Sequence, residues 1–251
     1  MPEERLTVVI ATVGRPTLRA SVLSARARLP EASILLVPSK SVRPEQLQGL
    51  SGIATLAPTD SLYSAWNSAL SRIESGRVLF LNDDDYLIGE PLDGDWARRR
   101  DHEVINLPFR RSEAPPRPSL GRIAPCRTTR MIDLLHSNGR GNINSYVWPR
   151  SLFSEVGPFD ESLRITADID WMSRLFGRGT HRVVQVHSPV YVQTRRSGRL
   201  SDPSAHGQRL LEEVRVVANS IRLRGRTGPA LSAALELWVR SVERRVKRSA
   251  Q

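Results

Sequence analysis

The chain reads as an α/β protein, built on an open, mostly parallel sheet with helices on both faces and closed by C-terminal helices. Three observations predict this. Short β-branched apolar runs alternate with amphipathic stretches through the first half, the rhythm of β–α–β units. The runs at Leu6–Ala11, Ser33–Val37 and Arg77–Leu81 are nearly unbroken in their apolar character, as strands buried on both faces are. The 251 residues, 39% hydrophobic and 25% charged, suffice for one sizeable core.

Taken in order, Leu6–Ala11 is the first strand, and Thr12-Val-Gly-Arg-Pro16 breaks it. Pro16 suits the first turn of a helix running to about Ala27. A second strand at Ser33–Val37 and a short apolar stretch at Gly52–Leu56 follow. Ser61–Ser75 has Leu62, Ala65, Trp66, Ala69, Leu70 and Ile73 on one stripe and reads as a helix stopped by Gly76. Arg77–Leu81 is then a buried strand, and Val104–Leu107 another. Five prolines between 108 and 125 argue against any long regular element there. Ile143–Trp148 reads as a strand, Ser151–Val156 as a short helix, Thr166–Phe176 as a helix, and Arg182–Val186 and Val190–Thr194 as strands. Beyond Pro203 the pattern is helical, at roughly 205–224 and 228–248. The expected organisation is one domain over 1–202, with halves near 1–106 and 107–202, and a helical extension over 203–251.

Composition narrows the class. A lone cysteine, Cys126, excludes an intrachain disulfide and points to a reducing compartment. The opening Met-Pro-Glu-Glu-Arg lacks the basic start and apolar stretch of a signal peptide, and no apolar run approaches a membrane span, so a cytoplasmic protein is expected. The net charge of +11 is almost all arginine, since only Lys40 and Lys247 are lysines among 37 basic residues. It concentrates in 107–130 and 202–251. No nucleic-acid recognition motif accompanies it, so no nucleic-acid partner is expected. The stripe Leu231, Leu235, Trp238, Val242 and Val246 beside Arg240, Arg244, Arg245, Lys247 and Arg248 suits packing on the domain, on a second copy, or on an anionic membrane surface at the inner face.

Chemistry concentrates at two loops. In such sheets ligands bind outside the carboxyl ends of the strands, which selects residues 12–16 and 82–86. Asp83-Asp84-Asp85 places three adjacent carboxylates at the end of a buried strand. Either a hard cation offsets their repulsion or the turn is simply solvated. Mg²⁺ or Mn²⁺, which takes one or two carboxylates with phosphate oxygens, fits the first case. Thr12 and Arg15 sit where backbone amides and polar side chains can hold a base or a phosphate.

The block from Asp60 to Asp85, with Ala65, Asn67, Gly76, the strand Arg77–Leu81 and Asp83–Asp85, resembles the inverting GT-A glycosyltransferases of family 2. The opening strand with Thr12 and Arg15-Pro16 resembles the start of that family. So do Val156-Gly-Pro-Phe-Asp-Glu161 and Ala167-Asp-Ile-Asp-Trp-Met-Ser-Arg174 in the later positions. Together they span roughly residues 5–200. The resemblance implies a GT-A, Rossmann-like fold. It also implies transfer of a sugar from a nucleoside-diphosphate sugar to an acceptor hydroxyl with Mn²⁺ or Mg²⁺. Asp83 would face the ribose, Asp84 would ligate the metal with Asp85 as the rival ligand, and Asn67 would orient the nucleotide. Asp168 would be the base, with Asp170 its competitor.

Secondary candidates are Asn142 and Asn144 on the acceptor side, Trp171 and Arg174 on turns neighbouring the base, and Arg196 in the arginine-rich 195–199 stretch facing the diphosphate. Arg174 can equally pair with Asp170 at i,i+4. Pro38-Ser39-Lys40 stands where relatives carry an acidic nucleobase contact, which leaves thymidine and guanosine donors open beside uridine. Two other classes are a nucleotidyltransferase, whose glycine-rich loop this chain lacks after the first strand, and a non-catalytic transferase-like binding protein.

Overall fold

The computed structural model describes residues 5–92, 103–112, 143–176 and 182–194, together with Glu212 and Val216. The first half runs β1 (Leu6–Thr12), α1 (Leu18–Arg28), β2 (Ser33–Pro38), β3 (Ala54–Thr55), α2 (Leu62–Leu70), β4 (Arg77–Asn82) and β5 (Tyr86–Ile88). It continues with β6 (Glu103–Asn106) and β7 (Phe109–Ser112). The second half supplies β8 (Tyr146–Pro149), α3 (Arg150–Val156), α4 (Ala167–Phe176), β9 (Arg182–Gln185) and β10 (Val190–Thr194).

Seven strands form one sheet in the order β3-β2-β1-β4-β8-β6-β9. β3, β2, β1 and β4 are mutually parallel. β8 is reversed against both its neighbours, and β6 pairs parallel with β9. The sheet is therefore mostly parallel, as expected, and β8, from the second half, is spliced between β4 and β6 from the first. A second, three-stranded sheet of order β5-β10-β7 was not foreseen. β7 lies within the proline-rich stretch expected to be irregular; its partner β10 lies some eighty positions on, a pairing that no local pattern announces.

The two faces follow from side-chain alternation along the strands. Val9, Leu35, Val37, Val78 and Phe80 pack with Tyr63, Trp66, Trp148, Phe153, Phe159 and Trp171 beneath α2, α3 and α4. Val8, Ile10, Leu36, Leu79 and Leu81 pack with Leu18, Val22 and Ala25 of α1 and with Leu87 and Tyr191 of the small sheet. Helices thus cover both faces. Aromatic rings hold the first layer, with Trp66 stacked on Phe80 at 4.4 Å and Phe153 on Trp171 at 4.4 Å.

α2 opens on reciprocal bonds between Ser61 and Ser64, a capping box built from two serines. It stops at Leu70, short of the expected Ser75. The Arg72 amide bonds back to Ala69 O, tightening the last turn, and Arg150 Nε donates to the carbonyls of Leu70 (3.2 Å) and Ile73 (2.7 Å). Glu212 and Val216, both helical and both 3% exposed, agree with a helix in the expected 205–224 range, and Val216 belongs to the main core. The second expected helix, 228–248, with its proposed membrane or dimer face, lies outside the described residues. Among the described residues no helix is long and apolar enough to cross a membrane.

Candidate active site

The chain runs from β1 outward through α1 to β2 and β3, then returns to place β4 on the other side of β1. The carboxyl ends of β1 and β4 therefore flank the switch point of the sheet, where open α/β folds bind ligands. The register pairs Ala11 with Asn82, so the next residues, Thr12 and Asp83, leave the sheet side by side. Thr12 Oγ1 donates to Asp83 Oδ2 at 2.7 Å, and the Val13 amide donates to the same oxygen at 3.0 Å. Arg15 Nε lies 3.2 Å from Asp83 Oδ1. The Gly14 amide donates to Thr12 Oγ1 at 2.9 Å, orienting the hydroxyl toward the carboxylate. Burial pushes the Asp83 carboxyl above its ordinary value; the bonds from Thr12 and Val13 and the Arg15 charge pull it down without cancelling that rise.

Asp83 and Asp84 occupy a turn closed by the Asp85 amide donating to Asn82 O at 3.1 Å. The chain is not extended here, so Asp83 and Asp85 do not share a face in the way an extended strand would place them. Asp85 is fully buried. Its Oδ2 accepts from Tyr191 Oη at 2.6 Å and from Asn82 Nδ2 at 2.9 Å, and its Oδ1 accepts the Thr194 amide at 3.0 Å. The antiparallel pairing of β5 with β10 delivers Tyr191, and Thr194 follows at the end of the same strand. Asn144 joins from a 3₁₀ turn, donating from Nδ2 to Tyr191 Oη at 3.2 Å. Tyr191 and Thr194 escaped sequence reading because nothing near them in the chain marks a partner 106 or 109 residues away.

The donor set tests the fit of a cation. Among the described residues no three His, Cys, Asp or Glu side chains converge on a cation-sized site. Asp83 and Asp85 are each held by the donors just named, which offsets much of the repulsion that seemed to demand a metal. Asp84 occupies a central position of the turn between them and is 5% exposed. A cation that arrives with a diphosphate and takes most of its ligands from phosphate oxygens needs only one carboxylate from such a turn.

Asp168 lies in the first turn of α4, where the helix dipole favours a carboxylate. Tyr63 Oη is 3.1 Å from Asp168 Oδ1 and 2.8 Å from the Ile165 carbonyl. Burial first, then the neighbouring Asp168, drives the Tyr63 phenol well above its ordinary value, so Tyr63 stays a donor. Tyr63 is in the first turn of α2, and Thr59 just before that helix donates its amide to Pro38 O at the carboxyl end of β2. Asp168 is therefore carried to the same edge of the sheet as Thr12 and Asp83.

Other sequence candidates are placed elsewhere. Asn67 bridges to the 159–161 turn, donating to Phe159 O (3.0 Å) and Glu161 Oε1 (2.8 Å) and accepting the Phe159 amide. Trp171 is fully buried and donates to Gly157 O. Arg174 pairs with Asp170 at 2.8 Å, the i,i+4 pairing already open from the sequence, and also donates to Val156 O and Pro158 O. These three brace α2, α3 and α4 together. Asn142 and Arg196 lie outside the described residues.

No protein-family model matches the chain, and no curated protein matches it. Solved structures do. Residues 1–349 of S. aureus TarS in complex with UDP-GlcNAc superpose with a TM-score of 0.56 at 17% identity, covering 86% of this chain and 67% of that one. The longer TarS structure gives 0.56 at 18% identity, and this chain spans 39% of it. The mannosyltransferase PcManGT from Pyrobaculum calidifontis, in complex with GDP-Man and Mn²⁺, gives 0.60 at 14% identity over 92% of this chain and 68% of that one. The chain has a glycosyltransferase fold. Within that glycosyltransferase fold, the acidic turn and the start of α4 stand at one edge of the sheet.

Proposed function

We propose that the chain is a divalent-metal-dependent, inverting glycosyltransferase that moves a sugar from a nucleoside-diphosphate sugar to an acceptor hydroxyl of a polysaccharide, glycolipid or secondary metabolite. The observation that carries this reading is the gathering of Thr12, Arg15, Asp83 and Asp168 at the carboxyl edge of the sheet. The complexes of TarS with UDP-GlcNAc and of PcManGT with GDP-Man and Mn²⁺ support it.

In this reading the β1–α1 loop and Asp83 hold the nucleoside, with Asp83 accepting from the ribose hydroxyls. Asp84 ligates Mn²⁺ or Mg²⁺, and Asp85 anchors the turn through Tyr191 and Thr194. The cation, when bound, supplies Lewis-acid neutralisation of the diphosphate. Asp168 takes the proton from the acceptor hydroxyl. The acceptor oxygen bonds to the anomeric carbon on the face opposite the diphosphate, whose C–O bond breaks and leaves the nucleoside diphosphate, so configuration inverts. The halves near 1–106 and 107–202 serve donor and acceptor respectively.

A thermal-shift panel of uridine, thymidine and guanosine diphosphates, each with Mn²⁺, Mg²⁺ or chelator, tests this. Ligand at about 100 times its Kd stabilises the fold by about 2.7 kcal/mol. One nucleotide is expected to raise the Tm only with metal present, and metal alone to raise it little. Asp84→Ala should abolish the metal-dependent part of the shift. A shift identical in chelator would refute the metal reading, and no shift with any nucleotide would refute the donor-binding reading.

A further inference from the structure

The segment entering α4 is gripped by a residue far beyond it. Helix N-termini leave amide donors that a local cap normally satisfies. Here the Arg164 amide donates to Glu212 Oε1 at 3.0 Å, and the amides of Ile165 and Thr166 donate to Glu212 Oε2 at 2.7 and 3.1 Å. The Thr166 hydroxyl adds a fourth contact at 3.3 Å. Glu212 is 3% exposed. A carboxylate so deeply buried is tolerated only with such donors around it. Val216, four residues further on, is packed in the main core.

The peptide unit between Ile165 and Thr166 is thus held from both ends. Its carbonyl accepts from Tyr63 Oη at 2.8 Å, and its N–H donates to Glu212 at 3.1 Å. Tyr63 Oη also reaches Asp168 Oδ1 at 3.1 Å, and Oδ1 accepts the Ile169 amide at 2.9 Å. Glu212, the gripped peptide and Tyr63 form one connected chain that ends on the carboxylate of Asp168.

We infer that Glu212, together with Tyr63, is a positioning residue for Asp168, so that residues beyond 202 belong to the transfer machinery. This rests on the reading of Asp168 as the base. A base carboxylate set on a loosely held first turn would lose its alignment with the acceptor, whereas nucleotide binding at the β1 and β4 loops would not change. A shared role in folding alone would lower stability and leave the turnover of folded protein as it was.

The test uses the full chain with Mn²⁺, measuring nucleoside diphosphate released from UDP-GlcNAc, GDP-mannose and a dTDP-sugar with water as acceptor, across pH. Asp168→Asn is the reference and should abolish release while keeping the nucleotide-dependent Tm shift. Glu212→Gln, which loses the charge and one acceptor oxygen, should lower kcat roughly ten-fold with the KM for donor unchanged. Tyr63→Phe removes an O–H donor from the carboxylate and should move the acid limb of kcat to higher pH. If Asp168→Asn abolishes release but folded Glu212→Gln keeps its kcat, or loses only KM, the inference is overturned and the base reading stands. If Asp168→Asn retains release, or the wild-type chain releases nothing from any donor, the base reading falls and takes the inference with it. Should Glu212→Gln not fold, an unmoved acid limb in Tyr63→Phe overturns the inference by itself.

Discussion

At Asp83, desolvation and hydrogen bonding act in opposite directions on one carboxylate, and desolvation prevails. A carboxyl raised in the folded state binds its proton more tightly there than in the unfolded chain. Its contribution to stability is therefore present below the ordinary carboxylate range and is lost as pH rises through the folded value. Asp83→Asn removes that dependence. The Tm of the variant relative to wild type is expected to increase from about pH 4 to about pH 7 in the absence of nucleotide, while the nucleotide-induced shift falls. A Tm difference that stays flat over this range would contradict the assignment. The three carboxylates were visible in the sequence as a cluster, but the separate directions they take were not. The turn at 82–85 sends Asp83 toward Thr12 and Asp85 toward Tyr191, and that divergence depends on backbone geometry and on partners far away in the chain.

Among the elements, Gly76 shows how a boundary is enforced. It has φ of +86°, and an added Cβ would run into the Arg5 carbonyl at the start of β1. The neighbouring Arg77 amide donates to that same carbonyl, and the Arg150 amide donates to Gly76 O. Gly76→Ala is expected to cost at least about 1–3 kcal/mol from backbone strain alone, read as a lower midpoint in denaturant unfolding. A midpoint equal to wild type would show that the two strands separate without penalty. The strands β1, β2 and β4 and the helices α1, α2, α3 and α4 were legible because each carries a local signal, an unbroken apolar run in the strands and a helix-starting proline, an apolar stripe or a stopping glycine in the helices. The small sheet was not: β5 and β7 are three and four residues long, and their order depends on β10, which no local signal ties to either. Tyr63 and Glu212 were missed for a related reason. One sits beside the apolar stripe of a helix and the other looks like one acid among many arginines, and only the fold sets them on either side of a single peptide.

For the molecule as a whole, the sheet joins both halves, since β8 lies between β4 and β6. The segment past residue 202 is tied in as well, through Glu212 at the entry to α4 and Val216 in the core. Truncation after residue 202 exposes the part of the core that Val216 covers and leaves three amides without their acceptor. The truncated chain is expected to melt at a lower temperature and to bind a hydrophobic dye that the full chain excludes. A truncated chain with the wild-type Tm would mean that the segment past residue 202 only rests on the domain.

The spacing of these contacts has a consequence for biosynthesis. Thr12 reaches Asp83 across 71 residues, Thr194 reaches Asp85 across 109, and Glu212 reaches Thr166 across 46. Asp83 leaves the ribosome with Thr12 already made, whereas Asp85 and the entry to α4 wait for Thr194 and Glu212. A nascent chain stopped before β10 carries the whole acidic turn without the Tyr191 and Thr194 donors to Asp85. Such a chain already carries the groups that hold Asp83 but leaves Asp85 and the entry to α4 unanchored, so the candidate site is complete only once β10 and Glu212 have docked.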